Sequence, residues 1–223
     1  MRFAPFFPLP LVFLAAACTA APACKDFVLI SARGTSERQG PSFVFVETIK
    51  QVLGTLPNGA TIDTVYPADR SMNIKPGVDW IHQYITTSLD SCPMQKFALL
   101  GYSQGAMVAS AALQELMDRG GPINDSIKAV LLFGNPYHVP NREGNVDEHG
   151  GSSTTGAVGV VSGMNPTAAS RFAVQGRVLD VCFTGDTVCN RAPSKDPMAH
   201  GKYGASKEVQ EIGADFLLEH LRT

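Results

Sequence analysis

The chain has 223 residues, of which 44% are hydrophobic and 17% charged, with a formal net charge of -2 at pH 7. That length and composition suit one domain with an apolar core of useful size and exclude a disordered or fibrous chain. Lys and Arg form no runs, so no phosphate-binding surface is expected and nucleic acid is excluded as a partner.

The first residues form a segment apart. Arg2 precedes an apolar stretch from Phe6 to Ala17, and small residues run from Ala15 to Ala23. A positive start, a short apolar run and small residues together predict a secretory signal peptide over residues 1–20, with cleavage between about Ala17 and Ala21. A single domain over 21–223 would remain. The apolar run is too short to span a bilayer comfortably, and no later segment is longer, so no integral membrane contact is expected.

Five short apolar runs follow as expected strands: Phe27–Ala32, Thr61–Tyr66, Phe97–Leu100, Ile127–Phe133 and Val178–Phe183. Most lack polar alternation, which is the pattern of parallel strands covered on both faces. Between them lie expected helices. Ser42 to Leu53 carries apolar residues at helical spacing. Gly77 to Leu89 places Val78, Ile81, Ile85 and Leu89 on one face. Ala106 to Met117 is stopped by Gly120-Gly121, and Ser206 caps a last helix to Leu221. Alternating strands and helices predict an α/β fold, a parallel sheet sandwiched between two helical layers. Asn141 to Ser170, rich in Gly, Ser and Thr, is expected to be a long loop beside a functional site.

Cysteines and one sequon fit export. Cys18 falls in the expected signal, leaving Cys24, Cys92, Cys182 and Cys189, which allow three pairings. Cys182 and Cys189 are close enough to form a short loop, and Cys24 would then pair with Cys92. An oxidising compartment favours disulfides over four free thiols. Asn124-Asp125-Ser126 is a possible N-glycosylation site in a connection expected to lie at the surface.

Gly101-Tyr102-Ser103-Gln104-Gly105 is a G-x-S-x-G sequence between an expected strand and an expected helix. That context is what a nucleophile elbow requires: a tight turn that pushes the Ser hydroxyl out of the sheet, over the first N–H groups of a helix. Such a serine needs a base and an acid further along the chain, acid before His. His138, His149, His200 and His220 follow the serine. Only His200 sits between the last strand and the last helix. Asp186, on the loop after the last strand and between two cysteines, is the favoured acid, with Asp180 and Asp196 as alternatives. The N–H of Gln104 and the loop residue Thr35 are candidate oxyanion donors. There is no C-x-x-C pair and no His at finger spacing, so no metal site is expected, and this chemistry needs no cofactor.

Together, Ala32-Arg33-Gly34-Thr35, Gly101-Tyr102-Ser103-Gln104-Gly105-Ala106, Gly134-Asn135-Pro136, Asp180-Val181-Cys182, Gly185-Asp186-Thr187-Val188-Cys189 and Ala199-His200-Gly201-Lys202-Tyr203 resemble the cutinase family, with its cutinase-like esterases and related acetylxylan esterases. The resemblance covers nearly the whole mature chain. It implies an α/β-hydrolase fold with a central five-stranded sheet and no lid over the serine. It implies Ser103, Asp186 and His200 as the triad, Thr35 and Gln104 as oxyanion donors, and the pairs Cys24–Cys92 and Cys182–Cys189. The expected activity is hydrolysis of carboxylic esters (cutin, polyesters or short-chain acylglycerols) by a secreted monomer. Acetylxylan is the rival substrate, and an inactive secreted binding protein is the non-enzymatic alternative.

Overall fold

In the computed structural model, the described residues are 1, 24–192, 196 and 198–222. The expected signal peptide lies outside them, apart from Met1. Six strands form one parallel sheet in the order β2-β1-β3-β4-β6-β5. They are β1 (Phe27–Ala32), β2 (Gly59–Asp63), β3 (Lys96–Tyr102), β4 (Ile127–Phe133), β5 (Asn145–Val146) and β6 (Val178–Val181). The helices are α1 (Val46–Thr55), α2 (Lys75–Ser91), α3 (Gln104–Arg119), α4 (Pro122–Ser126), α5 (Thr167–Ala173) and α6 (Lys207–Leu221).

The period of two along each strand divides the core between the two faces of the sheet. Val28 and Ile30 of β1, Phe97 and Leu99 of β3, and Val130 and Leu132 of β4 pack with α2, α3 and α5. Their alternates Phe27 and Leu29, Ala98 and Leu100, and Leu131 and Phe133 pack with α1 and α6. Each central strand is therefore apolar over most of its length because both of its faces are covered, with Ser31, Lys96 and Lys128 as the polar exceptions. Helix α3 begins at the end of β3 and is buried along Val108, Ala109, Ala112, Leu113 and Leu116.

Several expectations need correction. The sheet has six strands rather than five, because β5 adds a two-residue strand inside the expected long loop. That loop also holds a 3-10 turn at Ser162–Met164 and the start of α5. The second strand ends at Asp63, not Tyr66. Beyond it, the carbonyls of Thr64, Tyr66 and Pro67 turn to the guanidinium of Arg33. The last long strand stops at Val181, and Cys182 and Phe183 open the next loop. Asn124 stands within the short helix α4 rather than on an open loop, is only partly exposed, and its backbone carbonyl accepts from Arg177.

Both expected disulfides are present. Cys24–Cys92 ties the chain before β1 to the end of α2, and Cys182–Cys189 closes the loop after β6. Among the described residues no helix is long and apolar enough to cross a membrane.

Candidate active site

The end of β3 turns so sharply that Ser103 takes φ 54°, ψ -119°, a conformation that side-chain-bearing residues rarely adopt. The two glycines of the motif make this turn possible. A Cβ on Gly101 would lie 2.5 Å from the Gly105 carbonyl oxygen, and one on Gly105 would lie 2.0 Å from the Ala32 carbonyl oxygen. Strand β1 and helix α3 thus approach to a distance that only glycine permits. The Ser103 N–H donates to the Phe133 carbonyl, fixing the turn to the end of β4.

The Ser103 hydroxyl lies 2.9 Å from His200 Nε2, and His200 Nδ1 lies 2.9 Å from Asp186 Oδ2. Three residues separated by up to 97 positions meet at the carboxyl ends of β3 and β6. Asp186 is fully buried, whereas the His200 side chain keeps 27% of its surface exposed. Asp186 Oδ1 accepts from the Val188 N–H at 2.8 Å, and Tyr203 Oη donates to Oδ2 at 2.6 Å. The imidazole is clamped from both sides. Tyr102 stacks on it at 5.1 Å and donates to the His200 carbonyl at 2.8 Å. Across from it, Gly134 has φ 56°, and a Cβ there would come within 2.9 Å of His200 Cε1 and 3.1 Å of Asp186 Oδ2. Burial, then the charges of Asp186 and Glu37, push the Tyr102 phenol well up, so it stays a neutral donor.

On the other side of Ser103, the β1 loop meets the first turn of α3. Thr35 Oγ1 donates to Gln104 Oε1 at 3.1 Å. Glu37 holds this loop by accepting from the Gly34 N–H, from Ser42 Oγ at 3.0 Å and from the Phe43 N–H at 2.9 Å. The buried Arg33 donates to the Glu37 carbonyl and to Thr64, Tyr66 and Pro67, and the Tyr66 hydroxyl donates back to the Arg33 carbonyl. The loop carrying Thr35 is therefore fixed by the buried Arg33 and the partly buried Glu37 rather than by its own conformation.

The alternatives weighed from sequence are occupied elsewhere. Asp180 is fully buried beneath this site with Arg142, His138 and Asn135 around it. Asp196 is exposed and pairs with Lys202. His138 has no exposed surface, His149 pairs with Glu208, and His220 Nδ1 meets the Phe216 carbonyl of its own helix. Tyr203, Tyr102, Gly134 and Glu37 carry contacts that residue type alone did not reveal; Tyr203 three residues after His200 was the available cue. Among the described residues no three His, Cys, Asp or Glu side chains converge as metal ligands. A cleft of about 430 Å³ lined by Asp125, Lys128, Arg177, Glu219 and His220 lies at the opposite, amino-terminal end of the parallel strands and holds no comparable constellation.

The family model described as Cutinase matches residues 23–221. The chain belongs to the cutinase family. A cutinase of Kineococcus radiotolerans is 27% identical over 202 residues, covering 86% of this chain, and the chain spans 60% of that relative's own length. The solved structure of a cutinase-like protein from Cryptococcus sp. is 34% identical with a TM-score of 0.81, covering 91% of this chain and 98% of that one. The catalytic core domain of acetyl xylan esterase from Trichoderma reesei shares the fold, at 21% identity and TM-score 0.68, with 89% and 100% covered. As a cutinase-family fold, the six-stranded sheet carries Ser103 on the β3–α3 turn and Asp186 and His200 on the β6–α6 connection, all at one of its ends.

Proposed function

We propose that this chain is a secreted serine esterase that hydrolyses carboxylic esters through an acyl-enzyme on Ser103. The observation that carries the reading is the continuous relay from Ser103 Oγ through His200 to Asp186, with 2.9 Å at each step. His200 Nε2 takes the hydroxyl proton as Oγ attacks the ester carbonyl, and Asp186 holds the imidazole by Nδ1 and stabilises the imidazolium. The oxyanion forms over the start of α3, where the Gln104 N–H donates, the Thr35 hydroxyl re-aims the hydrogen it gives to Gln104 Oε1, and the helix dipole favours negative charge. His200 then protonates the leaving alcohol. Water, activated by the same imidazole, releases the acid.

The substrate class follows from the rim. Phe43, edge-on to Tyr102, is 50% exposed; Met72, whose sulfur lies 3.8 Å from Thr35 Oγ1, is 42% exposed; Met198, two residues before His200, is 71% exposed. Ser103 and His200 are themselves only partly buried. An open site with an apolar border suits esters too large to enter a closed pocket: cutin, polyesters and acylglycerols. Trp80 stacks on Tyr84 at 5.3 Å and packs against the core, so its ring is already partnered on α2. The two disulfides and the signal-like first residues support export, Asn124 is the proposed glycan acceptor, and a monomeric single domain is the proposed working unit.

The test is turnover of p-nitrophenyl butyrate by the wild type and by Ser103→Ala, His200→Ala and Asp186→Asn, followed by release from cutin against acetylxylan. The reading expects kcat losses of at least about 10⁴-fold in the serine and histidine variants. Retained turnover in Ser103→Ala would refute it. Faster release from acetylxylan than from cutin would reassign the substrate.

A further inference from the structure

We infer that Tyr203 is a positioning residue of this reaction, its phenol acting as the second donor on the carboxylate oxygen that holds His200. The inference rests on the serine-esterase reading and concerns a group that the triad does not include.

The direction of the hydrogen bond is fixed by what surrounds the phenol. Tyr203 Oη lies 2.9 Å from the Phe183 N–H, which can only donate, so the phenol oxygen is the acceptor there. Its one hydrogen must point elsewhere. Asp186 Oδ2, at 2.6 Å, is an acceptor, and the Cys189 sulfur at 3.6 Å is a distant competitor that carries no hydrogen as a half-cystine. The phenol therefore donates to Oδ2, the same oxygen that faces His200 Nδ1. Oδ1 is held separately by the Val188 N–H. The two-donor arrangement at Oδ2 sets both where the carboxylate stands and how much of its charge the imidazole feels.

Packing alone does not account for the hydroxyl. Tyr203 is fully buried, stacked on Phe133 at 5.6 Å and edge-on to Phe183 at 5.7 Å. A phenylalanine would fill the same aromatic space without the cost of burying an O–H. Instead the ring is anchored at its backbone as well. Gln210 Nε2 donates to the Tyr203 carbonyl at 2.9 Å and to the Val44 carbonyl at 2.7 Å, while its Oε1 accepts from Thr48. Helices α1 and α6 thus hold the phenol against the acid loop. Burial, together with the Asp186 charge, keeps the phenol protonated far above any working pH, so it remains a donor throughout the cycle.

The ionisable groups facing this pair are few. They are His200 itself, Tyr102 from β3, Asp180 from β6, and Glu37 acting on Tyr102 from the β1 loop. Glu148 reaches the same loop by accepting from the Thr184 N–H at 2.7 Å. Apart from His200, none of these donates to Oδ2, so removing the phenol hydrogen leaves the His200 N–H facing the whole charge of that oxygen.

The test compares three enzymes on p-nitrophenyl butyrate: wild type, Tyr203→Phe, and a site-specific Tyr203→3-fluorotyrosine. Losing the donor favours the imidazolium and loosens the carboxylate. Tyr203→Phe should lower kcat about tenfold with KM within about twofold, and its kcat/KM profile should begin its acid limb about half a pH unit higher. The fluorinated phenol is a stronger donor of nearly the same shape, so its acid limb should move to lower pH. Opposite shifts cannot come from a purely structural role. If Tyr203→Phe does not fold, the fluorotyrosine enzyme decides by itself: a downward shift supports the inference, and a profile superimposable on wild type overturns it. Shifts of the same sign in both variants also overturn it. Ser103→Ala run alongside separates the two levels. Activity surviving there sinks the esterase reading itself, whereas a dead Ser103→Ala with unmoved Tyr203 profiles sinks only the role of Tyr203.

Discussion

Gly105 and the Ala32 carbonyl are in such close contact that a Cβ on Gly105 would sit 2.0 Å from that oxygen. The partner is backbone in a central strand, so it cannot move aside as a side-chain tip could. Gly105→Ala should therefore destabilise the protein by at least about 2 kcal/mol and lower activity by pushing α3 away from β1. Denaturant unfolding checks this. A variant as stable as wild type would mean that α3 is not seated on β1 as described.

Ser103 holds a backbone conformation that is unfavourable for a residue with a side chain. Ser103→Ala and Ser103→Gly should be equally inactive, since neither has a nucleophile. The glycine variant should nonetheless be the more stable of the two by about 1 kcal/mol, because only glycine adopts φ 54° without strain. Melting curves of the pair provide the comparison, and an alanine variant that melts later contradicts it.

The two disulfides should separate stability from activity. Cys24–Cys92 spans 68 residues and stands away from the site, so Cys24→Ala/Cys92→Ala should cost about 4 kcal/mol of stability with kcat little changed at low temperature. Cys182–Cys189 spans 7 residues and encloses Asp186, so its removal should cost only about 2 kcal/mol by the same loop-entropy argument. Its effect on kcat should be the larger, because the carboxylate loses its frame. Equal activity losses in the two double variants would contradict this division.

Acid sensitivity should be shared by two carboxylates outside the triad. Burial works against the charge of Asp147, but donors from Ser153, His149 and Gly151 outweigh it and hold the carboxyl at about 2. Burial also opposes the charge of Asp180, and His138, Arg142 and Asn135 overcome it, keeping that group below its ordinary range. Both values are lower folded than unfolded. The stability they contribute is therefore complete above the ordinary carboxylate range and is lost as pH falls through the lowered values. Tm should fall between about pH 4 and pH 2, and Asp147→Asn should flatten that slope. Asp180→Ala, which strands a buried Arg142, should cost about 3–5 kcal/mol at neutral pH. An unchanged pH slope in Asp147→Asn, measured by scanning calorimetry, would contradict the linkage.

What the residues disclosed in advance, and what they hid, follows physical lines. The ends of β1 and β4 coincide with the apolar runs Phe27–Ala32 and Ile127–Phe133, because a strand covered on both faces is apolar on both, with only Ser31 and Lys128 interrupting the two runs. Strand β2 is at the sheet edge and only partly buried, and the residues after it looked like strand although Arg33 draws the Thr64 and Tyr66 carbonyls away. Strand β5 has two residues, too few to leave a period. That Ser103, Asp186 and His200 would meet was legible from their chain order and loop positions. Gly134 and Tyr203 were not, since their roles depend on a positive φ and on a hydrogen bond across folded space. The Asp180 cluster joins residues up to 45 positions apart in one buried network, which local pattern cannot disclose.

In the proposed mechanism one hydroxyl, made nucleophilic by one imidazole, performs the chemistry. Labelling with an alkyl phosphonate, read by intact mass and peptide mapping, tests it most directly. One adduct per chain is expected, on Ser103, formed slowly or not at all in His200→Ala. An adduct on any other residue, or equal labelling of Ser103→Ala, would contradict it.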